Sequence, residues 1–360
     1  MALKGIFALG ALIAACAASD VWTVDCAPLT VQRSDPILSP GIPSGHVHAV
    51  VGSTAFYRNM TDPTTGNQTT CDKWTDRSSY WAPHLYRITS DGKFSQVGFT
   101  GMVAYYQNYT CDYNATAPGY CQGVRNPIAF PAGLRMIAGD STRRTLNLSD
   151  PWQQAILFEV GNRGEIYGLP SVLDSDRLSG HVRWPSCWDG VNLDSHNHKD
   201  HVAYPDASLG GTTQGGMCPS THPVAMINVA GLFGWNIAGI TNSSELVFAQ
   251  GDTTGFGFHG DFFMGWLNRD ALQQSFANCF TNDDCPWRTF GSPDGTEAEP
   301  VNRPPDVDAP WEDVGAFAPM DALPGNNPVY QPVAQVTSDA PSAMAVTSVV
   351  PAQSVVPLKA

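Results

Sequence analysis

Short runs of β-branched and aromatic residues, separated by glycine, proline, asparagine and aspartate, recur along this chain and constrain its fold more than any other feature. Four of them span residues 96–107, 155–161, 201–205 and 245–251. Runs of this length that end at turn residues favour strands over helices. The clearest helix covers residues 270–280, where apolar residues recur at helical spacing behind Asp270 as a candidate N-cap.

Because these runs do not alternate regularly with helical segments, the pattern predicts antiparallel rather than doubly wound parallel sheets. We therefore predict a mainly β fold, with an antiparallel β-sandwich or jelly-roll-like core, long loops and a few short helices. An irregular α+β fold is the alternative.

The first 19 residues have the pattern of a secretory signal peptide: Lys4, then an uncharged apolar run, then small residues around Cys16. We expect a globular domain over residues 20–290, followed by a tail over residues 291–360. The tail is rich in proline, serine, threonine and alanine, which opposes a packed core, so we expect it to be disordered and dispensable.

Cysteine usage agrees with export. Of nine cysteines, Cys16 lies in the leader and eight remain, an even set that predicts four disulfides in an oxidising compartment, although 105 pairings are open. Short loops favour Cys111–Cys121 and Cys279–Cys285; Cys187–Cys218 would close a histidine-rich stretch, which leaves Cys26–Cys71 by elimination. Six glycosylation sequons point to surface loops, at Asn59, Asn67, Asn108, Asn114, Asn147 and Asn242.

The formal charge of −14, with no basic stripe, argues against nucleic acid and anionic lipid as partners. No segment after the leader is long and apolar enough to span a bilayer, so we expect no membrane anchor. Nothing in the sequence indicates the oligomeric state. The predicted location is extracellular or cell-wall associated.

Residues 181–205 concentrate the ionisable groups: they hold four of the nine histidines and three aspartates beside Cys187, Trp184 and Trp188. Imidazoles and carboxylates at this density are typical of metal ligation or acid–base chemistry. Further candidates lie elsewhere. His46 and His48 share a strand face if extended, as do His259 and Asp261.

Six blocks in fixed order resemble the fungal secreted family DUF1996, a domain of unknown function. They are DPILSPGIPSGHVHAVVG (35–52), SSYWAPHLYR (78–87), FPAGLRMIAGD (130–140), PSCWDGVNLDSHNHKDHVAYP (185–205), CPSTHPV (218–224) and GDTTGFGFHGDFFMGW (251–266). His196 departs from the family pattern, so it is a weaker candidate than His198 or His201. The resemblance implies an extracellular location but no settled chemistry.

We predict that six residues converge on one catalytic cleft: His46, His48, His198, His201, His259 and Asp261. Two mechanisms fit them. The five histidines could hold a divalent metal ion, or one imidazole could act as a general base with Tyr57, Tyr86 or Tyr204 as the acid. Trp188, Tyr204 and Arg58 are the predicted substrate-binding residues, because aromatic faces stack on sugars and guanidinium groups bind anions.

The predicted function is that of a carbohydrate-active protein, a hydrolase or lyase acting on cell-wall or extracellular polysaccharide through a His/Asp site. The alternative is a non-catalytic, cell-wall-associated protein that binds a glycan or a metal. A copper oxidase of the histidine-brace type is disfavoured, since cleavage near Ala17 to Ser19 exposes no N-terminal histidine.

Overall fold

The computed structural model describes residues 20–117, 119, 121, 124–278 and 312–330. Within these residues the chain forms eighteen strands and two α-helices. The first nine strands are β1 (Val21–Cys26), β2 (Pro28–Gln32), β3 (His48–Gly52), β4 (Ser79–Pro83), β5 (Leu85–Ile88), β6 (Phe94–Gln96), β7 (Gly98–Gln107), β8 (Thr110–Cys111) and β9 (Arg135–Gly139).

Helix α1 (Pro151–Gln154) follows β9, and helix α2 (Arg269–Asn278) follows the last strand. Between the helices lie β10 (Ile156–Val160), β11 (Arg177–Arg183), β12 (Cys187–Trp188), β13 (Val202–Ala203), β14 (Gly216–Met217), β15 (Val224–Ala225), β16 (Asn228–Asn236), β17 (Leu246–Phe248) and β18 (His259–Phe263). Among the described residues, no helix has the length and apolar character needed to cross a membrane.

Two five-stranded antiparallel sheets form the body of the fold. The first has the order β1-β7-β16-β11-β10 and the second the order β2-β3-β4-β18-β9. Smaller sheets, β13-β12-β15, β17-β5-β6 and the parallel pair β14-β8, lie in the connections. The prediction of a mainly β, sandwich-like fold is confirmed, and the four predicted strand runs contain β7, β10, β13 and β17.

The main core lies between these sheets. Trp22 of β1 stacks on Tyr106 of β7 with ring centroids 4.6 Å apart, and Tyr80 of β4 and Phe262 of β18 face them from the second sheet. Each such ring contributes about 1.5–3 kcal/mol by leaving water. The two sheets are also joined by a hydrogen bond of 2.6 Å between the hydroxyls of Tyr80 and Tyr106.

Helix α2 closes one side of this core, and its start differs from the prediction. Asn268, rather than Asp270, is the capping residue, since its side-chain oxygen accepts the N–H of Ala271 at 2.9 Å. Asp270 lies in the first helical turn instead. The helix is held to the core by Ser275, whose hydroxyl accepts a hydrogen bond from the Trp22 indole N–H at 3.0 Å.

Three disulfides join the predicted partners: Cys26–Cys71, Cys111–Cys121 and Cys187–Cys218. The predicted Cys279–Cys285 bridge lies outside the described residues. Five of the six sequon asparagines are exposed and Asn108 is partly exposed, so their side chains are reachable; their glycosylation stays a prediction.

Part of the segment expected to be a disordered tail is ordered against the domain. Met320 forms an antiparallel bridge with Phe94 at the edge of β6, and Leu323 is buried beside Tyr86. The Tyr86 hydroxyl donates to the carbonyl of Val314 at 2.8 Å. Apolar side chains between the prolines let this extended segment cover a sheet edge, which composition alone does not reveal.

Candidate metal centre

The second sheet places two histidines and an aspartate on its outer face. His48 of β3 pairs with Pro83 of β4, and on the other side of β4, Asp261 of β18 lies opposite Trp81. In this antiparallel register His259, two residues before Asp261, comes opposite Pro83 as well. Side chains two apart on a strand share a face. His48, His259 and Asp261 therefore project from the same side, away from the main core.

His46 arrives from the loop before β3 and completes a group of three imidazoles. Its Nε2 atom lies 3.2 Å from Nε2 of His259, and its ring centroid lies 4.4 Å from that of His48. One ligand nitrogen from each of the three lies within 4.8 Å of the others. Two nitrogens bound to one ion at ~2.1 Å with tetrahedral geometry are separated by about 3.4 Å, so the spacing suits a shared ion.

Backbone carbonyls orient two of these rings. Nδ1 of His48 lies 3.0 Å from the carbonyl oxygen of Ser34, and Nδ1 of His259 lies 2.9 Å from that of Gly257. A carbonyl can only accept, so each Nδ1 must carry the proton and each Nε2 keeps a lone pair. Nε2 of His259 faces Nε2 of His46, and Nε2 of His48 has no hydrogen-bond partner among the described residues. Metal-binding histidines are commonly oriented in this way by a bond to the other ring nitrogen.

The rings are held neutral, the form that binds metals. Burial, followed by the charge of His259, lowers the pKa of His48 to about 3. Burial lowers the pKa of His259 to about 4, against the opposing hydrogen bond to Gly257. The pKa of His46 also falls well below its ordinary value, first through burial and then through the two neighbouring imidazoles.

Two carboxylates adjoin the imidazoles. Ligand atoms of Asp35, His48 and Asp261 lie within 4.8 Å of one another. Asp35 accepts the N–H groups of Ile37 and Leu38 at 2.9 Å each. Asp261 is fully buried and, among the described residues, neither of its oxygens has a hydrogen-bond partner. Burial, with Asp35 second, raises the pKa of Asp261 well above its ordinary value, and burial also raises that of Asp35.

Unpartnered buried polar atoms are costly, each by about 1–3 kcal/mol, so their concentration here calls for a ligand. Besides both Asp261 oxygens, Nε2 of His48 has no partner among the described residues. A cation with nitrogen and carboxylate ligands would satisfy all three atoms at once. Imidazole-rich sets of this kind suit zinc, copper, iron or manganese, whereas calcium and magnesium prefer oxygen alone.

His198 and His201 were predicted to join this set, and the structure separates their roles. Nδ1 of His198 donates to a carboxylate oxygen of Asp194 at 2.7 Å. The electrostatic interaction with His198 lowers the pKa of Asp35, against the larger effect of burial. His198 therefore lies beside the centre without being one of the grouped ligands. Both ring nitrogens of His201 are occupied, by Ser195 at 3.0 Å and by the Arg135 carbonyl at 2.7 Å. In this structure His201 lies outside the group of three imidazoles, and its role as a metal ligand or catalytic group stays a prediction.

The predicted substrate-binding residues are not gathered at the centre. Tyr204 is buried and its hydroxyl donates to the carbonyl of Arg183, so its ring is not exposed in this structure, and its role in substrate binding stays a prediction. Trp188 is partly exposed on β12, and its indole N–H donates to the Asn192 carbonyl at 2.6 Å. Arg58 is partly exposed on the loop after β3, where its carbonyl accepts the N–H of Gly41.

Asp35 was not predicted as a site residue. It begins the first block that resembles the family, but an aspartate followed by a proline is typical of a turn. Lys199, one residue beyond His198, was not predicted either. The Lys199 ammonium donates to the carbonyl of Gly139, the residue paired with His259, and its positive charge opposes the raised pKa of Asp261. A lysine within a histidine-rich loop carries no signal of its own in the sequence.

A small cavity of about 110 Å³ adjoins the centre at this lysine. Its walls include Gly139, Arg143, Trp152 and Lys199, and the Lys199 nitrogen lies 5.0 Å from the centroid of the Trp152 ring. Ligand pockets usually enclose about 300–1,000 Å³, so this one has room only for a substituent of a larger molecule. Asp140 and Asp150 also line it and both pair with Arg143, so the two cations are balanced by two carboxylates. The Trp152 ring beside these polar groups suits a sugar.

Comparison with protein families identifies the chain. A model for a domain of unknown function, DUF1996, matches residues 35–266, and the chain belongs to that family. The matched segment begins at Asp35 and includes His46, His48, His259 and Asp261. No curated protein and no solved structure matches the chain.

Proposed function

We propose that this chain is an extracellular, metal-dependent enzyme that cleaves a cell-wall or other extracellular polysaccharide by hydrolysis or elimination. The observation that carries the proposal is the group of three imidazoles formed by His46, His48 and His259. His48 also adjoins the carboxylates of Asp35 and Asp261, and neither Asp261 oxygen has a hydrogen-bond partner among the described residues. His46, His48 and His259 would hold the ion, with Asp261 as a further ligand or as the acid–base group. The three disulfides support an oxidising, extracellular location.

Bound there, a divalent ion would activate a water molecule or polarise a substrate carboxylate. The protein groups supply the rest. The raised pKa of Asp261 extends the protonated form of its carboxyl, the form that a general acid requires, to higher pH than is usual for aspartate. Lys199 and Asp140, on the wall of the adjoining cavity, would bind a polar sugar substituent, and Trp152 offers a ring for the sugar face.

The same geometry also supports a second function, non-catalytic metal capture. His48, His259, Asp35 and Asp261 are all buried, and only His46 is partly exposed. Enclosed sites with all ligands from the protein are typical of structural metal centres, whereas catalytic centres keep an open position. Whether water and substrate can reach the ion past His46 therefore decides between the two functions.

The test begins with metal content. Purified protein, stripped with a chelator and dialysed against zinc, copper, manganese or iron, should retain close to one equivalent of one of them by elemental mass spectrometry. His46→Ala, at the partly exposed ligand, should lose that equivalent. His196→Ala, an exposed histidine of the same chain, should retain it. Loss in neither variant, or no retained metal in the wild type, would contradict a metal centre at this position.

Activity is then measured on a panel of polysaccharides with and without chelator. Products with one added water per cleavage would indicate hydrolysis, and unsaturated uronates with new ultraviolet absorbance would indicate elimination. Cleavage should disappear in His46→Ala and persist in His196→Ala. A protein that binds metal but leaves every polysaccharide intact would favour the capture function.

A further inference from the structure

A second, larger groove lies on the opposite side of the sandwich, on the outer face of the first sheet. Its volume is about 580 Å³, within the range of ligand-binding clefts. It is distinct from the metal centre, which lies on the outer face of the second sheet. The polar lining residues come from several strands and from the loop after Cys71: Asp25, Asp72, Thr100, Tyr105, Glu159 and Arg177.

Strand register explains the shape of the groove. Gly101 of β7 lies opposite Gly234 of β16, which lies opposite Ser179 of β11. Two glycines and a serine project little from the sheet, so this row of residues forms the floor of the groove. Tyr105 stands two rows away, and Asp25 and Glu159 stand on the first and last strands. From β1 to β10 there are four steps of about 4.8 Å, or about 19 Å, which suits an oligosaccharide better than a single sugar.

The groove is acidic. Three carboxylates, those of Asp25, Asp72 and Glu159, line it together with one guanidinium, that of Arg177, and Asp72 is paired with the neighbouring Lys73 ammonium. The Arg177 side chain already donates to the Gly161 carbonyl and to the side-chain oxygen of Asn162, at 2.8 and 3.1 Å. An anionic polymer would meet net repulsion here, and the chain's charge of −14 adds to it.

A buried network supports Glu159 at one end. Nδ1 of His181 lies 2.9 Å from a carboxylate oxygen of Glu165, which is also paired with Arg183. Although burial opposes it, these bonds and charges lower the pKa of Glu165 to about 2. Nε2 of His181 is buried and without a partner among the described residues, 3.8 Å from Glu159 Oε2.

One carboxylate oxygen of Glu159 can accept a further hydrogen bond. Its Oε1 atom accepts the N–H of Gly164 at 3.2 Å. Its Oε2 atom lies 3.8 Å from Nε2 of His181, beyond hydrogen-bond distance. A donor from a ligand in the groove could reach this oxygen. Tyr105, partly exposed in the same groove, presents a ring against which a sugar could pack.

We infer that this groove binds an oligosaccharide of amino sugars, with protonated amines near Asp25 and Glu159 and a sugar face on Tyr105. Ammonium groups give charge-assisted hydrogen bonds to carboxylates, which a neutral or anionic sugar cannot match. The inference is independent of the metal centre, because the two sites share no residue.

The test is calorimetric titration at about pH 5.5, above the ordinary pKa range of aspartate and glutamate. The titrants are a glucosamine oligomer, its fully N-acetylated form and an oligogalacturonate. We expect binding in that order, with none for the oligogalacturonate and weakening by added salt. Asp25→Asn and Glu159→Gln should each weaken glucosamine binding about two- to fivefold, the range of exposed charge pairs.

Asp321→Asn is the matched control, since it removes one negative charge from a strongly exposed side chain outside the groove. It should leave the affinity unchanged, as should His46→Ala at the metal centre. Equal affinity for the neutral and cationic oligomers, or no binding at all, would overturn the inference. So would an equal loss in Asp321→Asn, which would assign the effect to the overall charge of the protein.

Discussion

Replacing Asp261 by asparagine should stabilise the metal-free protein at neutral pH and weaken its stabilisation by metal. Both Asp261 oxygens are buried without a hydrogen-bond partner among the described residues, and Asp35 adds a second carboxylate nearby. Without a cation, the folded state must therefore keep the Asp261 carboxyl protonated or accept an uncompensated buried charge. Asparagine has nearly the same shape and carries no charge.

The sign follows from linkage. The pKa of Asp261 is raised in the folded state, so its favourable contribution is complete below the unfolded value, 3.8, and is lost as pH rises through the folded pKa. The Asp261→Asn variant has no carboxyl at this position, so its free energy of unfolding does not decrease in this way as pH rises. Its advantage in free energy of unfolding should be absent below about pH 3.8 and then grow by at most about 1.4 kcal/mol per pH unit.

Metal should reduce the variant's advantage. An ion at 100 times its dissociation constant stabilises the wild type by about 2.7 kcal/mol. If the neutral amide binds it tenfold more weakly, the variant loses about 1.4 kcal/mol of that gain. The measurement is urea unfolding followed by tryptophan fluorescence, from about pH 3.5 to 7, in chelator and again with the retained metal.

Asp252→Asn provides the control, because Asp252 is equally buried but fully bonded. Its oxygens accept from Thr254 N–H and hydroxyl and from Gly257 N–H, at 2.7 to 2.9 Å. That variant should be less stable by about 1–3 kcal/mol with or without metal. A loss of stability in metal-free Asp261→Asn at every pH would refute the account of an uncompensated carboxylate, and undiminished metal stabilisation would refute its role as a ligand.

Three further predictions concern the surroundings of the centre. Replacing His201 by alanine should lower the free energy of unfolding by about 1–3 kcal/mol, because two buried bonds are lost, yet leave metal content unchanged by elemental mass spectrometry. Removing the Cys187–Cys218 bridge, which closes a separation of 31 residues, should cost about 3–4 kcal/mol in urea unfolding of the double alanine variant. In thermal scans the metal-free protein should lose stability as pH falls from 6.5 toward about 3–4. The pKa values of His48 and His259 are lowered in the folded state, so the stability that these neutral imidazoles contribute is complete only above the pKa of an unfolded histidine, 6.5. A constant melting temperature over that range would contradict this prediction.

The histidine-rich stretch shows why composition alone misjudges a site. Four histidines lie within residues 181–205, yet none of them belongs to the group of three imidazoles. His201 bonds to its own loop and to β9, and His181 lies under the other sheet's groove. A high local frequency of histidines in the sequence shows only that metal-binding side chains are present. Binding one metal ion requires that the lone pairs of several side chains point to one place in the structure.

The sequence alone determined the class of fold, since strand-length apolar runs between turn residues can bury their apolar faces only in sheets. It also determined that His46 with His48, and His259 with Asp261, would each share a face, because the two-residue period of a strand is local. Which strands become neighbours depends on long-range pairing. Only the placement of β3 and β18 on either side of β4 brought His46, His48 and His259 together, and placed His48 beside Asp35 and Asp261 as well.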